Sequence, residues 1–130
     1  MNIAIRYYSR SGNTKLLAEA IARGVNVPAI SVDAENSPIT EDADVLFVGG
    51  ALYAYGLDKH LNKFLEELDG SKIKKAVVFS TSWLSKHSVD LIKKALSKKG
   101  IKVADEYCYF KSRPSEDNLK EAEKFAKRMV

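Results

Sequence analysis

Cysteine occurs once in this 130-residue sequence, tryptophan once, histidine twice and proline three times. A lone Cys108 excludes an intrachain disulfide framework. It sits in a β-rich run and reads as a small buried apolar residue, not a redox thiol. His60 and His87 have neither cysteine nor carboxylate at ligand spacing, so no metal site is expected. No apolar run reaches the roughly eighteen residues of a membrane-crossing helix, and the start MNIAIRYY has no basic leader with a small-residue cleavage site. These absences point to a reducing cytoplasm and no membrane insertion. Two nucleotide signatures are also missing. Without G-x-x-x-x-G-K-[ST] a P-loop nucleoside triphosphatase is not expected, and without G-x-G-x-x-G the dinucleotide fingerprint is lacking.

What the chain does have is the material for one soluble globular domain, 1–130, with 45% hydrophobic and 29% charged residues. The formal charge is +4 and unevenly spread: residues 1–55 hold 4 basic and 6 acidic side chains, residues 56–130 hold 17 and 11. Most of the lysines are scattered along helix-like stretches such as LIKKALSKKG, the pattern of a solvated helix face. Nucleic acid is not an expected partner.

Five β-rich runs, NIAIRYY, AISV, DVLFVGG, KAVVFST and KVADEYCYF, alternate with helix-period stretches. Four amphipathic helices follow from the apolar spacing. The first carries Leu16, Leu17, Ala20 and Ile21, and the second Leu57, Leu61, Phe64, Leu65 and Leu68. Leu91, Ile92, Ala95 and Leu96 mark the third, and Leu119, Ala122, Phe125, Ala126 and Met129 the fourth. Regular alternation implies right-handed crossovers and a parallel sheet covered on both faces, and VLFV and AVVF are continuously apolar as doubly covered strands require. The expected fold class is α/β. DAENSPITEDA, residues 33–43, is polar around Pro38 and reads as a loop. Arg6 stands inside the first strand, where it must either reach past the sheet end or pair with a carboxylate that the sequence does not identify.

Ligands of such sheets sit beyond the carboxyl ends of the strands. SRSGNT falls there, between the first strand and the first helix. Ser9, Ser11 and Thr14 offer hydroxyls, Asn13 an amide, Gly12 a pliable backbone and Arg10 a charge, all where a helix presents unpaired N–H groups and positive dipole. That set suits a phosphate. An N-cap uses the same residue types, but one cap residue suffices and this loop has four candidates. No cysteine ends the strand, which excludes a thiolate phosphatase. Tyr7 and Tyr8 stand where a magnesium-binding receiver domain would place an acidic cluster.

With Tyr7, Ser9, Gly12, Asn13, Thr14 and Ala18 in this strand-loop-helix pattern, and five strands following, the chain resembles the short-chain flavodoxins over essentially its whole length. The resemblance implies a three-layer αβα sandwich with a five-stranded parallel sheet in the order 2-1-3-4-5. It also implies FMN as cofactor, with the phosphate in the opening loop and the isoalloxazine ring held after the third and fourth strands. In the third-strand loop, Ala51, Leu52, Tyr53, Tyr55 and Gly56 become cofactor candidates. Tyr53 is favoured by counting back from the helix, Tyr55 by the aromatic-Gly pair. The pair is preferred because a carbonyl turned toward the ring needs positive φ, which Gly56 tolerates. After the fourth strand, Thr81 and Ser82 can bond the polar ring edge and Trp83 can cover a face.

The function implied is an FMN-binding electron carrier between redox enzymes, with no residue acting as acid or base. The alternatives are an FMN-dependent NAD(P)H:quinone-type reductase and a phosphate-binding or interaction domain without redox activity. Flavodoxins are commonly acidic, whereas this chain has an isoelectric point near 9.1. The expected redox partners therefore present acidic docking faces.

Overall fold

The computed structural model describes residues 1–53, 56–83 and 85–130. Strands β1 (Ile3–Tyr7), β2 (Ala29–Ser31), β3 (Val45–Gly50) and β6 (Lys75–Thr81) form the body of a parallel sheet. A short antiparallel hairpin, β4 (Leu52–Tyr53) with β5 (Gly56–Leu57), follows β3. Helices α1 (Asn13–Val25), α2 (Lys59–Glu67), α3 (His87–Lys98) and α4 (Glu116–Met129) cover the sheet. Leu57, assigned from its spacing to the second helix, lies in β5 instead; the helix starts after Asp58, whose side chain caps it by accepting from the His60 N–H. Among the described residues, no helix is long and apolar enough to cross a membrane.

The fifth β-rich run is two strands, β7 (Lys102–Val103) and β8 (Cys108–Phe110), both on the outer edge of β6. Ala76 faces Val103, but Phe79 faces Cys108, so residues 104–107 stand against Val77 and Val78 alone. Two extra residues force a bulge. The interruption falls on Ala104, Asp105 and Glu106, poor strand formers; the Ala104 N–H still reaches the Ala76 carbonyl of β6, but the next two residues are engaged elsewhere. The Asp105 carbonyl accepts from Lys93 at 3.2 Å, and Glu106 meets Arg128 at 3.2 Å. The sheet order β2-β1-β3-β6 followed by β7 and β8 is the expected 2-1-3-4-5 arrangement.

Alternation along the strands sorts the core into two halves. Phe47, Val77 and Phe79 meet Leu17, Ile21, Ala122 and Phe125 of α1 and α4, whereas Leu46, Val48 and Val78 meet Leu61, Leu65, Ile92 and Leu96 of α2 and α3. Phe47, Phe79, Leu17, Leu61 and Ile92 are completely buried. At about 25 cal/mol per Å² of apolar surface, this burial is the dominant stabilising term.

The connection from β2 to β3 contains no helix among residues 32–44. Arg6 explains how that loop is held. Its Nε donates to the Ser37 carbonyl at 2.6 Å and its Nη1 to the Ile5 carbonyl at 3.0 Å, while Ser37 Oγ donates to the Val32 carbonyl. Of the two alternatives, the carboxylate is not what Arg6 finds: its partners are main-chain carbonyls, one in the loop and one in β1. Burial lowers its pKa, and main-chain acceptors take the Nε and Nη1 donors.

Candidate functional site

Three loops converge beyond the carboxyl ends of β1, β3 and β6 around a groove of about 650 Å³. The first contributes Arg10, Ser11 and Asn13, the second Ala51, Leu52 and Tyr53, the third Thr81, Ser82 and Trp83. All nine are residues singled out from the sequence. Lys111 and Ser112, just after β8, also line the groove and were missed. The rule that ligands gather at strand carboxyl ends applies to the last strand too and would have found them.

Ser9, Gly12 and Thr14 build the wall from behind. Ser9 Oγ accepts from the Gly12 N–H at 3.0 Å, and Ser11 Oγ from the Asn13 N–H at 3.4 Å. Gly12 is the N-cap residue of α1, in the left-handed region at φ 95°, and lends the helix no capping side chain. By contrast α4 carries a full capping box between Ser115 and Asn118. The first turn of α1 therefore keeps donors and positive dipole for an external acceptor. Thr14, 1% exposed, shares a 2.7 Å hydrogen bond with Thr81 and ties the first loop to the third.

Ser82 is also buried, at 6% exposure, and its Oγ has no hydrogen-bond partner among the described residues. An orphaned buried hydroxyl in a groove wall costs about 1–3 kcal/mol unless something supplies a partner. The Ser82 carbonyl accepts from the Tyr109 hydroxyl, which anchors the third loop on β8. Trp83 is 71% exposed at the groove's edge. Gly56 has φ 113°, the left-handed backbone that glycine tolerates, but faces a different cavity, between α2 and α3. Tyr55, on which the preferred aromatic-Gly pair rests, lies outside the described residues.

Arg10 points to the second loop. Its Nε and Nη2 lie 2.9 and 2.6 Å from Asp58 Oδ2, and its guanidinium stands 4.0 Å from the centre of the Tyr53 ring. Asp58 Oδ1 accepts from the His60 N–H at 2.7 Å and lies 2.9 Å from His60 Nδ1, and the His60 ring stacks on Tyr8. Burial pushes the Asp58 carboxyl up, but the His60 N–H, the His60 ring and the Arg10 guanidinium outweigh it and hold the pKa below 3.8. Because the folded value is depressed, the contribution to stability is complete above the unfolded value and is lost as pH falls through the folded one. Stability should thus decline as pH drops below about 4, and Asp58→Asn should flatten that decline in pH-dependent urea unfolding. Asp44, bonded by the Asn2 N–H and Lys74, and Asp69, bonded by Ser71, are also lowered and account for slope that remains. An unaltered slope in the variant would show that Asp58 is not held this way. Cys108 is the opposite case: burial raises its thiol to about 12, which leaves it unreactive near neutrality.

Fold and groove together define a doubly wound α/β domain with a polar helix N-terminus at one end of its cleft and aromatic side chains at the other. The flavodoxin domain profile matches residues 4–130, and the chain belongs to the flavodoxin family. An uncharacterized protein of Methanocaldococcus jannaschii is 27% identical over 136 residues, 91% of this chain and 90% of that one. Among solved structures, a flavodoxin from the domain Archaea aligns at a TM-score of 0.82 with 26% identity, covering 99% of this chain and 96% of the other. Oxidised flavodoxin 1 from Bacillus cereus aligns at 0.79 with 21% identity over 97% and 95%, a likeness of fold.

Proposed function

We propose that this protein binds FMN and carries electrons between redox proteins. The observation that supports this most is the Ser82 hydroxyl, buried in the groove wall without a partner among the described residues. A ligand with a polar edge would satisfy it once the Ser82 side chain turns toward the groove. The residues present also fit the rest of the cofactor. The uncapped first turn of α1, with Ser11 and Asn13 at the groove, would hold the phosphate, and Tyr53 and Trp83 would cover the ring. When bound, FMN supplies one- and two-electron redox chemistry, while the protein supplies binding, orientation and electrostatics.

The charge around the groove supports an acidic partner. Arg10 and Asp58 offset each other, leaving exposed Lys59, Lys86 and Lys111 around the loops. Such a rim steers an acidic face toward the cofactor edge and loses that effect as salt rises. A cytoplasmic location belongs to the same proposal.

Trp83 is the single tryptophan, so its emission reports on this groove alone. Titrating the apoprotein with FMN should quench that emission stoichiometrically, and riboflavin should bind more weakly for want of the phosphate. Trp83 emission that ignores FMN while the protein turns yellow would move the ring elsewhere. Turnover of NAD(P)H by the purified flavoprotein alone would favour the reductase alternative over the carrier.

A further inference from the structure

We infer that Asp58 is a positioning residue for this groove, holding Arg10 as a neutralised latch between the first loop and the β4–β5 hairpin; this rests on the FMN reading above. Arg10 belongs to the loop before α1, yet its Nε and Nη2 both lie on one oxygen of Asp58, the residue that follows β5. The other oxygen is occupied by His60, so the carboxylate is held from both sides. Its side chain is 4% exposed, against 44% for Arg10, so the anion is fixed in the protein and the cation is clamped onto it from the groove side.

Two consequences follow. First, the guanidinium carbon is held 4.0 Å from the centre of the Tyr53 ring, so the latch braces that aromatic wall before any ligand enters. Second, the charge of Arg10 is cancelled beside the groove that would hold the flavin ring. An uncompensated cation there would favour the anionic reduced ring, and an uncompensated Asp58 would oppose it. The latch thus sets both wall geometry and local field. Arg10 in the opening loop reads from sequence as a phosphate cation, and the geometry points to this different task.

Asp58→Asn isolates the charge, because asparagine caps a helix about as well as aspartate and keeps the His60 N–H satisfied. In the FMN-loaded protein, Asp58→Asn should favour the fully reduced over the oxidised cofactor by about threefold to tenfold after solvent screening, and Arg10→Gln should disfavour it by a similar factor. The double variant should return close to the unaltered protein. Arg10→Lys keeps the charge but loses the planar fork, so it should weaken FMN binding with little change in potential. A merely structural role predicts weaker binding in all variants and no opposed shifts, and shifts of the same sign in both single variants would overturn the proposal. A second arm needs no flavin: urea unfolding of the apoprotein should give a favourable coupling between Arg10 and Asp58 in the double-mutant cycle. Zero coupling there removes the latch, whereas failure of the unaltered protein to bind FMN removes the carrier reading and leaves the apoprotein cycle to decide the latch.

Discussion

Thr14→Val is expected to weaken FMN binding about ten- to a hundredfold and to lower the stability of the apoprotein by about 1–3 kcal/mol. Valine conserves the shape of threonine, so packing around a residue that is 1% exposed changes little. What is lost is the 2.7 Å bond to Thr81, itself 3% exposed, whose hydroxyl then lacks that partner in the protein interior. Among the described residues, the bond is a direct side-chain tie between the start of α1 and the end of β6, the elements carrying the first and third loops. Losing it should let the two walls separate. Thr81→Val should have a similar effect alone. The double variant should regain much of the stability, because replacing both partners by apolar groups of the same shape leaves no unpaired hydroxyl. It should not regain FMN affinity, since neither hydroxyl is then present to organise the loops. Equilibrium unfolding and FMN titration of the three variants measure both effects. Unchanged affinity in Thr14→Val would remove the first loop from the site.

Much of this site was legible in the sequence because its parts are local. A strand, a cluster of small polar residues and an amphipathic helix lie within residues 3–25, so Arg10, Ser11 and Asn13 could be named from pattern, while the six groove residues after β3 and β6 came from the resemblance to the flavodoxins. What pattern does not contain is pairing across the chain. Arg10 and Asp58 are separated by 48 residues, and each reads as an independent loop charge until the carboxyl ends of β1 and β3 are brought side by side. Arg6 was opaque for a different reason. Every residue offers a carbonyl, so only the route of residues 32–44 over β1 reveals which one Arg6 reaches. The break in the fifth strand was present as Ala-Asp-Glu within an otherwise β-rich run. It went unread because flanking Val103 and Cys108 both suit a strand, and the two-residue mismatch lies in register, not composition.

Gly49 and Gly50 end β3 where it enters the groove, and neither has the left-handed backbone that would by itself demand glycine. Their difference lies in what a methyl group would meet. At Gly49 a Cβ would stand 2.3 Å from the Phe79 ring and 2.4 Å from the Phe79 carbonyl oxygen. Phe79 is the residue opposite it in β6 and is completely buried, so neither its ring nor its main chain can retreat without moving the strand. At Gly50 the Cβ would meet Leu61 Cδ2 at 2.4 Å, the far end of a flexible side chain, with the next atom at 3.7 Å. Gly49→Ala should therefore cost about 3 kcal/mol or more, at or beyond the usual overpacking range, and Gly50→Ala about 1 kcal/mol. Against a total stability of about 5–15 kcal/mol, the first change endangers the fold and the second does not. The consequence for the site follows from the same geometry. Displacing Phe79 carries Ser80, Thr81 and Ser82 with it, and Ser80 Oγ is bonded to the Gly50 carbonyl at 2.6 Å and to Ser88 Oγ at 2.7 Å. The Thr14–Thr81 tie would be pulled as β6 moves. Folded Gly49→Ala protein should accordingly bind FMN more weakly than Gly50→Ala, and urea unfolding with FMN titration on the pair checks both orders. Equal destabilisation by the two substitutions would show that β6 yields at Phe79 as easily as Leu61 rotates, and the packed contact between β3 and β6 would then not be what fixes the third loop.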